Sequence, residues 1–393
     1  MFSRSLAATI SRAVRASPLR APQRRTNYTA PMNEVRFLLN DVWNVEEHYK
    51  KIPTTGGLNA DKDMTDMVLT EMAKFCEQEL SPLNETADVE GCTWVDEHTV
   101  TTPTGFKEAY DKYVEGGWQG LNYSEEWGGQ GLPYSMALFS SEMSATANWT
   151  WTMYPGLSKG AINTLIDHGD DHMKKTYLPP MVEGRWTGTM CLTEPQCGSD
   201  LGQVSTKAIP NGDGTYNITG TKIFISCGEH DMTENIVHCV LARLPNAPEG
   251  TRGISLFLVS VRLWVFSPFP FSLSLYRYRY LSPLLPEQMN MFLLTFVVVV
   301  GIVLDVFNVQ VPKHKINDET LEIGELNNCK IGRIEDKMGC HGSSTCEINF
   351  EDSVGTLIGT ENRGLNHMFT FINTSRIGKQ TNKIWWLLLV LWY

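Results

Sequence analysis

The 393-residue sequence lacks features that would assign it to several classes of protein. None of its nine cysteines forms a Cys-x-x-Cys pair, and scattered thiols suit a reducing compartment better than a disulfide framework or a zinc site. There is no long Lys/Arg block, and 44 acidic against 33 basic residues give a formal net charge of −11. A net acidic chain without a basic patch is a poor nucleic-acid binder. We therefore expect neither a metal site nor a nucleic-acid partner.

Acidic residues are also absent from the first 33 positions, Met1–Asn33. Six arginines stand there among Ser and Ala, and four apolar residues recur at every fourth position, which aligns them on one helical face: Phe2, Leu6, Ile10 and Val14. Such a leader is typical of a mitochondrial transit peptide, and a disordered basic tail is the alternative. We expect residues 1–33 to be a transit peptide and the protein to lie in the mitochondrial matrix.

The spacing of apolar residues divides the remaining chain into helical and β regions. Short β-branched runs predict a hairpin over Ala208–Lys222 and strands over Ile236–Arg243, Gly253–Val259 and Gly339–Phe350. Helical spacing occurs over Asp61–Leu80, Thr104–Gly116, Tyr134–Ala147, Ser158–His168, Asp171–Val182 and Gly364–Arg376. These patterns predict an α+β protein. It has an N-terminal all-α domain at 34–184, a small β-barrel or sandwich domain at 185–258 and 311–356, and the opening helix of a C-terminal helical bundle at 362–378.

Residues 259–310 fit neither domain. They include a mostly apolar run, Met291–Leu304, that is shorter than the ~20 residues a membrane-spanning helix needs. We interpret 259–310 as a translated intron, because Val259-Ser260 can be encoded by a splice-donor sequence and Gln310 by an acceptor end. The tail 379–393 follows another possible donor, at Gly378-Lys379. A genuine hydrophobic insertion that docks on a membrane is the alternative for 259–310, and we do not expect a membrane partner.

Three motifs follow one another along the chain. Met190–Asp200 reads Met-Cys-Leu-Thr-Glu-Pro-Gln-Cys-Gly-Ser-Asp, Gly220–Ser226 reads Gly-Thr-Lys-Ile-Phe-Ile-Ser, and Lys337–Cys346 reads Lys-Met-Gly-Cys-His-Gly-Ser-Ser-Thr-Cys. In this order they closely resemble the signature motifs of acyl-CoA dehydrogenases. Within that family the sequence is most similar to 3-methylmercaptopropionyl-CoA dehydrogenase-like members. The resemblance covers about residues 30–258 and 311–378.

The resemblance implies FAD as the cofactor and an acyl-CoA thioester as the substrate. In the family, a carboxylate removes the α-proton of the thioester while the β-hydride passes to flavin N5. By resemblance, the hydroxyls of Thr193 and Ser226 bond the flavin ring, and the backbone at Met190 and Leu192 contacts it. Phe224 would cover the ring at a position where the family has Trp. Taken singly, each of these is an ordinary turn or strand residue.

The resemblance also implies contacts to the remainder of both molecules. Ser199 would contact the flavin diphosphate and the pantetheine of CoA. Arg376 matches an arginine that binds the CoA moiety, and Asn373 stands where the family usually has Asp. The family's acceptor, electron-transfer flavoprotein, is implied as a partner. A homo-oligomer is implied too, although the bundle that builds its core is not found in this sequence.

A general base is missing from both positions that the resemblance offers. The family's glutamate lies in the C-terminal bundle, and some members place it one residue before the helix arginine, where this chain has Ser375. We therefore expect an FAD-dependent acyl-CoA dehydrogenase whose catalytic base is absent and whose activity is impaired. A non-catalytic FAD- and acyl-CoA-binding remnant and a membrane-anchored scaffold remain as alternatives.

Overall fold

The computed structural model describes residues 28–51, 60–260 and 327–376. Three of the predicted features fall on other residues: 1–27 of the transit peptide, 261–310 of the hydrophobic segment and the whole 379–393 tail lie outside the described residues. The expectations for those stretches stay predictions.

The first half of the chain is a helical domain. A two-stranded hairpin, β1 (Thr93–Asp96) and β2 (Thr99–Thr101), interrupts it. It was not predicted, because every residue of β1 is exposed and no apolar alternation marks the strand. The helices are α1 (Met32–Arg36), α2 (Val45–Tyr49), α3 (Lys62–Phe75), α4 (Leu83–Glu90), α5 (Phe106–Glu115), α6 (Tyr134–Ala147), α7 (Trp149–His168) and α8 (Asp171–Glu183). Short π-helical segments, Phe37–Val42 and Cys76–Leu80, extend α1 and α3.

Helix α7 begins well before the predicted start at Ser158. Pro155 lies in its interior, and a proline normally argues against an uninterrupted helix. The helix starts early because the Asn148 side chain caps it, accepting a hydrogen bond from Trp151 N at 3.0 Å. Trp151 and Tyr154 are also fully buried in the helical core. Capping and burial therefore outweigh the local cost of the proline.

Residues 28–33 belong to this helical domain. Ala30 is buried, and its backbone N donates to Glu77 Oε1 at 2.8 Å, while Tyr28 N donates to Ser81 Oγ at 3.3 Å. Helix α1 already begins at Met32. Residues 28–33, the last part of the predicted leader, therefore contact the helical domain, and the transit peptide itself stays a prediction.

The second half is a small closed β-barrel, one of the two β architectures that the sequence predicted. Strands pair around the ring in the order β6–β7–β9–β5–β4 and back to β6; β3 pairs in parallel with β6, and β8 pairs with β9. Buried apolar side chains such as Ile218, Val240, Phe257 and Ile348 fill the core. The strands are β3 (Trp186–Cys191), β4 (Lys207–Pro210), β5 (Thr215–Ser226), β6 (Asn235–Arg243), β7 (Ile254–Ser260), β8 (Cys329–Ile334) and β9 (Thr345–Leu357).

Strand β7 continues to Ser260, two residues beyond the predicted end of this part of the β domain. Val259 is buried and pairs with His238, while Ser260 pairs with Val237. Asn327, the next described residue, donates from Nδ2 to Ser260 O at 2.8 Å. Ser260 and Asn327 therefore meet at one place on the barrel.

Residues 364–376 form a further helix, α9, which packs on α7. Asn163 Nδ2 donates to Thr374 Oγ1 at 3.1 Å, and His168 Nε2 lies 2.9 Å from Thr370 Oγ1. A Cβ added to Gly160 of α7 would stand 2.5 Å from the Phe371 ring. Glycine at 160 thus allows α9 to approach α7 closely.

Candidate functional site

The first two sequence motifs lie side by side. Ile223 N of β5 donates to Thr193 O at 2.9 Å, and Lys222 Nζ donates to Leu192 O at 3.2 Å. The loop after β3 is closed by reciprocal backbone bonds between Glu194 and Cys197, at 2.8 and 3.0 Å. Residues 192–193 are thereby fixed against β5, the strand that carries Phe224 and Ser226.

A buried ion pair holds this arrangement together. Lys222 Nζ lies 2.8 Å from Glu194 Oε1, and the two side chains are 0% and 1% exposed. Glu194 also accepts hydrogen bonds from the backbone N and hydroxyl of both Ser205 and Thr206. Burial raises the pKa of Glu194, but the Lys222 charge and these hydrogen bonds outweigh it and lower the pKa to about 2.

Sequence reasoning did not single out this pair. Both residues stand inside quoted motifs, one in Thr-Glu-Pro and one in Gly-Thr-Lys. A charged residue of each sign, one in the loop after β3 and one in β5, was the available signal, since buried charges are almost always paired.

Phe224 projects from the barrel at a bulge. The pairing of β5 with β9 shifts register between Lys222 and Ile225, and Phe224 takes a left-handed backbone with φ of +59°. Its neighbours Ile223 and Ile225 are buried, whereas Phe224 is 58% exposed. Bulges redirect a side chain, and left-handed non-glycine residues concentrate at functional sites. The bulge therefore presents a flat apolar ring beside the Thr193 loop.

A cavity of about 240 Å³ opens between the barrel and the helices. Met190 of β3 and Ser226 of β5 form its barrel wall, while Thr374 and Ser375 line it from α9. Helices α5, α6 and α7 provide the remaining lining, which is mostly apolar with several hydroxyls. Lys159 of α7 also lines it. The described lining contains no carboxylate.

The structure brings some of the predicted residues together and leaves others apart. Met190 and Ser226 share the cavity, and the half-buried Leu192 and Thr193 adjoin β5. The other six predicted residues do not line the cavity: Leu192, Thr193 and Phe224 lie on or beside β5, and Ser199, Asn373 and Arg376 are exposed on a loop or on α9.

Free hydroxyls occur at three of the predicted residues. The hydroxyls of Thr193, Ser199 and Ser226 make no hydrogen bond to any other residue that the structure describes. Free donors near an exposed aromatic face are the groups that a planar, hydrogen-bonding ring requires. This part of the barrel therefore fits a ligand that has an apolar face and polar edges.

A larger cavity, of about 620 Å³, lies between α4 and strands β8 and β9. Four carboxylates line it, against Lys337 and His341: Asp88, Glu90, Glu335 and Asp336. Excess negative charge disfavours phosphate-bearing ligands.

Across the described ranges, no group of His, Cys, Asp and Glu could hold a metal ion. No helix in the described part is long and apolar enough to cross a membrane.

Two family descriptions match the sequence. Residues 62–185 match the N-terminal domain of acyl-CoA dehydrogenases, and residues 189–263 match the middle domain. The chain is 35% identical to 3-methylmercaptopropionyl-CoA dehydrogenase of Ruegeria pomeroyi, over 89% of this chain and 50% of that protein. It is 31% identical to a butyryl-CoA dehydrogenase of Syntrophomonas wolfei, over 81% of this chain and 45% of that protein. The chain thus spans about half the length of these curated relatives.

Solved structures share the fold. Butyryl-CoA dehydrogenase from Megasphaera elsdenii superposes with a TM-score of 0.55 and 22% identity, covering 81% of this chain and 64% of that one. A structure from work on the electron transferring flavoprotein of Acidaminococcus fermentans superposes with a TM-score of 0.54 and 23% identity, covering 82% of this chain and 64% of that one. At these identities the likeness concerns the fold alone.

Proposed function

Because this chain belongs to the acyl-CoA dehydrogenase family, whose members are flavoprotein oxidoreductases, we propose that it binds FAD and an acyl-CoA thioester. The observation that carries the proposal is the cavity shared by Met190 and Ser226, with the exposed Phe224 two residues before Ser226 on the same strand. The reaction that we assign to this site is α,β-dehydrogenation of the thioester.

The described residues have distinct parts in this proposal. Bound FAD would supply the hydride acceptor. Thr193 and Ser226 would donate hydrogen bonds to the edge of its ring, the backbone at Met190 and Leu192 would contact the ring, and Phe224 would cover one face. The Lys222–Glu194 pair acts indirectly, because it fixes the loop that carries Thr193.

Residues outside the cavity would hold the phosphate-bearing parts of both molecules. Ser199 is exposed on the loop after β3, where its free hydroxyl can reach a diphosphate or pantetheine group. Asn373 and Arg376 are exposed on α9, and Arg376 offers a guanidinium that suits phosphate recognition. Their assignment to CoA depends on the family resemblance.

The described lining of the cavity offers no carboxylate base to take the α-proton. Ser375, at one of the family's positions for the base, offers only a hydroxyl. Loss of a positioned general base lowers a rate by about 10²–10⁴. We therefore propose that this chain binds FAD and acyl-CoA but dehydrogenates slowly. A binding remnant without catalysis is the second candidate, favoured by the same absence.

Purified protein tests the proposal through its colour. We expect the visible absorbance of bound flavin after incubation with FAD and gel filtration, and slow bleaching of that absorbance when an acyl-CoA is added. Colour without bleaching would favour the binding remnant. A colourless protein that is folded by circular dichroism would contradict the proposal.

Phe224→Ala tests the ring contact. We expect FAD affinity to fall about two- to tenfold, the effect of losing one aromatic stacking contact. Phe37→Ala is the control, because Phe37 is 57% exposed, as Phe224 is 58% exposed, but lies in the helical domain. Equal FAD affinities of the two variants would argue against a contact between Phe224 and the flavin.

Location and partners are part of the same proposal. The acid-free, arginine-rich N-terminus supports the mitochondrial matrix. Family resemblance supports electron-transfer flavoprotein as the electron acceptor and a homo-oligomer as the assembly. Reduction of purified electron-transfer flavoprotein by the protein and an acyl-CoA would test the partner.

A further inference from the structure

Lys159 is an unusual residue to find in this cavity. It lies on α7 and is half-buried, and its Nζ donates to Ser141 Oγ of α6 at 2.8 Å. Within the described ranges, that hydroxyl is the one hydrogen-bond partner of the Lys159 ammonium. No carboxylate there lies within ion-pair distance of the ammonium. Lys159 therefore faces the cavity with a positive charge that the described protein does not neutralise.

The surroundings make this charge costly. Burial alone lowers the pKa of Lys159 to about 8, since an apolar environment disfavours the ammonium form. Buried charges are normally paired, because their desolvation is expensive. Lys159 is the one charged side chain in the described lining of the cavity. A ligand with an anionic group would supply the missing counter-charge.

The position of Lys159 indicates which part of a ligand it meets. Its partner Ser141 lies on α6. That helix packs mainly on α3, α7 and the π-helical segment Cys76–Leu80 rather than on the barrel. Met190 and Ser226 form the opposite, barrel wall of the cavity. A thioester held at the barrel wall would extend its acyl chain across the cavity toward α6. The far end of that chain would then approach the Lys159 ammonium.

We propose that Lys159 pairs with a carboxylate at the far end of the acyl chain, so that the preferred ligands are CoA thioesters of short dicarboxylic acids. This inference rests on the proposed function, because it takes the cavity to be the acyl site. The hydrogen bond that Lys159 Nζ donates to Ser141 Oγ holds the ammonium in place, and the apolar lining contacts the methylene groups of the chain.

Two matched thioesters test the inference in the full chain loaded with FAD. Valeryl-CoA and glutaryl-CoA have acyl chains of equal length and differ in whether the far end is a methyl group or a carboxylate. By isothermal titration calorimetry we expect glutaryl-CoA to bind about ten- to hundredfold more tightly, the range for a hydrogen bond to a charged group. Lys159→Met should abolish this preference and leave valeryl-CoA binding intact.

Ser144→Ala is the matched control, because Ser144 lines the same cavity and carries no charge. It should keep the preference for glutaryl-CoA. If Lys159 contacted the CoA moiety instead, Lys159→Met would weaken the binding of both thioesters equally. That result would overturn the inference. Equal binding of both thioesters to the unaltered protein would overturn it as well. Binding of neither would contradict the proposed function itself.

The pH dependence gives a test that needs no folded variant. Lys159 is charged below a pH of about 8, so the preference for glutaryl-CoA should decline as the pH rises past that value. The other titratable groups lining the cavity, Tyr113 and Tyr134, have pKa values raised by burial above the ordinary 10. Glu142, beside Ser141 on α6, has a pKa raised by burial to about 7 but does not line the cavity. A preference unchanged to pH 10 would overturn the inference.

Discussion

Lys222 and Glu194 carry opposite charges at a place from which solvent is almost completely excluded. Removal of one member leaves the other charge buried without a counter-ion, which destabilises proteins by about 3–5 kcal/mol. We expect Lys222→Met to lower the free energy of unfolding by this amount, measured by urea denaturation. The double variant with Glu194→Gln should recover part of the loss.

The exposed Lys74–Glu71 pair, at 2.6 Å, is the control. Lys74→Met should lower the free energy of unfolding by less than about 1 kcal/mol. Equal losses for the two lysines would contradict the role given to the buried pair.

The same pair predicts a pH dependence of stability. Glu194 has a pKa of about 2 in the folded protein against an ordinary value of 4.5. A depressed folded pKa means that the stabilisation is present above the unfolded value and is lost as the pH falls toward the folded one. Stability should therefore decline between pH 4.5 and pH 2, and Glu194→Gln should flatten this decline. Unfolding curves across that range test it, and an unchanged slope in the variant would count against the assignment.

At single residues, the motifs identified two residues that share a cavity, but they did not predict local conformation. Met190 and Ser226 were named from motifs, and the structure places both in one cavity. The left-handed backbone of Phe224 was not predictable, because it arises where β5 changes register against β9, more than a hundred residues later. Lys159 went unnoticed for a similar reason. A lysine in a helix is ordinarily solvated, and only the packing of α6 and α7 shows that it faces a cavity.

Helix α7 packs against the barrel and α9 and lines the cavity. Two of its glycines, one helical turn apart, differ in how closely neighbouring residues approach them. Both lie inside the helix. There, replacement of glycine by alanine stabilises the helix by at most about 1 kcal/mol. A Cβ at Gly156 meets open space, whereas a Cβ at Gly160 would stand 2.5 Å from the Phe371 ring. We expect Gly156→Ala to stabilise the protein slightly. Gly160→Ala should destabilise it by about 1–3 kcal/mol through overpacking.

Denaturant midpoints of the two variants measure this difference. Since α9 carries Thr374 and Ser375 into the cavity, Gly160→Ala should also alter ligand binding. If the two substitutions had equal effects on stability, α9 would not pack on α7 as described.

Elements with a strong local signal were predicted well. Helix α6 has the predicted bounds, Tyr134–Ala147, and β6 agrees to within one residue. Errors occurred where local and tertiary preferences differ. Pro155 concealed the first turns of α7, and the exposed residues of β1 gave no alternation to detect. Such elements are stabilised by contacts that a local pattern does not contain.

For the molecule as a whole, residues 28–33 are tied to the helical domain by burial and hydrogen bonds. Relative to a protein that lacks residues 1–27, one that lacks residues 1–33 should have a free energy of unfolding lower by about 1–3 kcal/mol, because the buried Ala30 and the hydrogen bonds to Glu77 and Ser81 are lost. Thermal or urea unfolding of the two truncated proteins compares them. Equal stabilities would mean that residues 28–33 contribute nothing to the fold.

The overall architecture was predictable as a class and not in its connections. Runs of helical and then strand-like spacing indicated two domains, and the family motifs indicated their type. Closure of the barrel depends on β7 pairing with β9 and β4 with β6, which join residues far apart in sequence. No local pattern specifies such pairings.

The junction of Ser260 with Asn327 has a consequence for how this barrel tolerates change. Asn327 donates to Ser260 O and to Val354 O, and its Oδ1 accepts from Val354 N, so one amide side chain just before β8 joins the end of β7 to β9. Loss of this one amide would leave three backbone groups without their partner at once, so the barrel should tolerate substitution of Asn327 poorly.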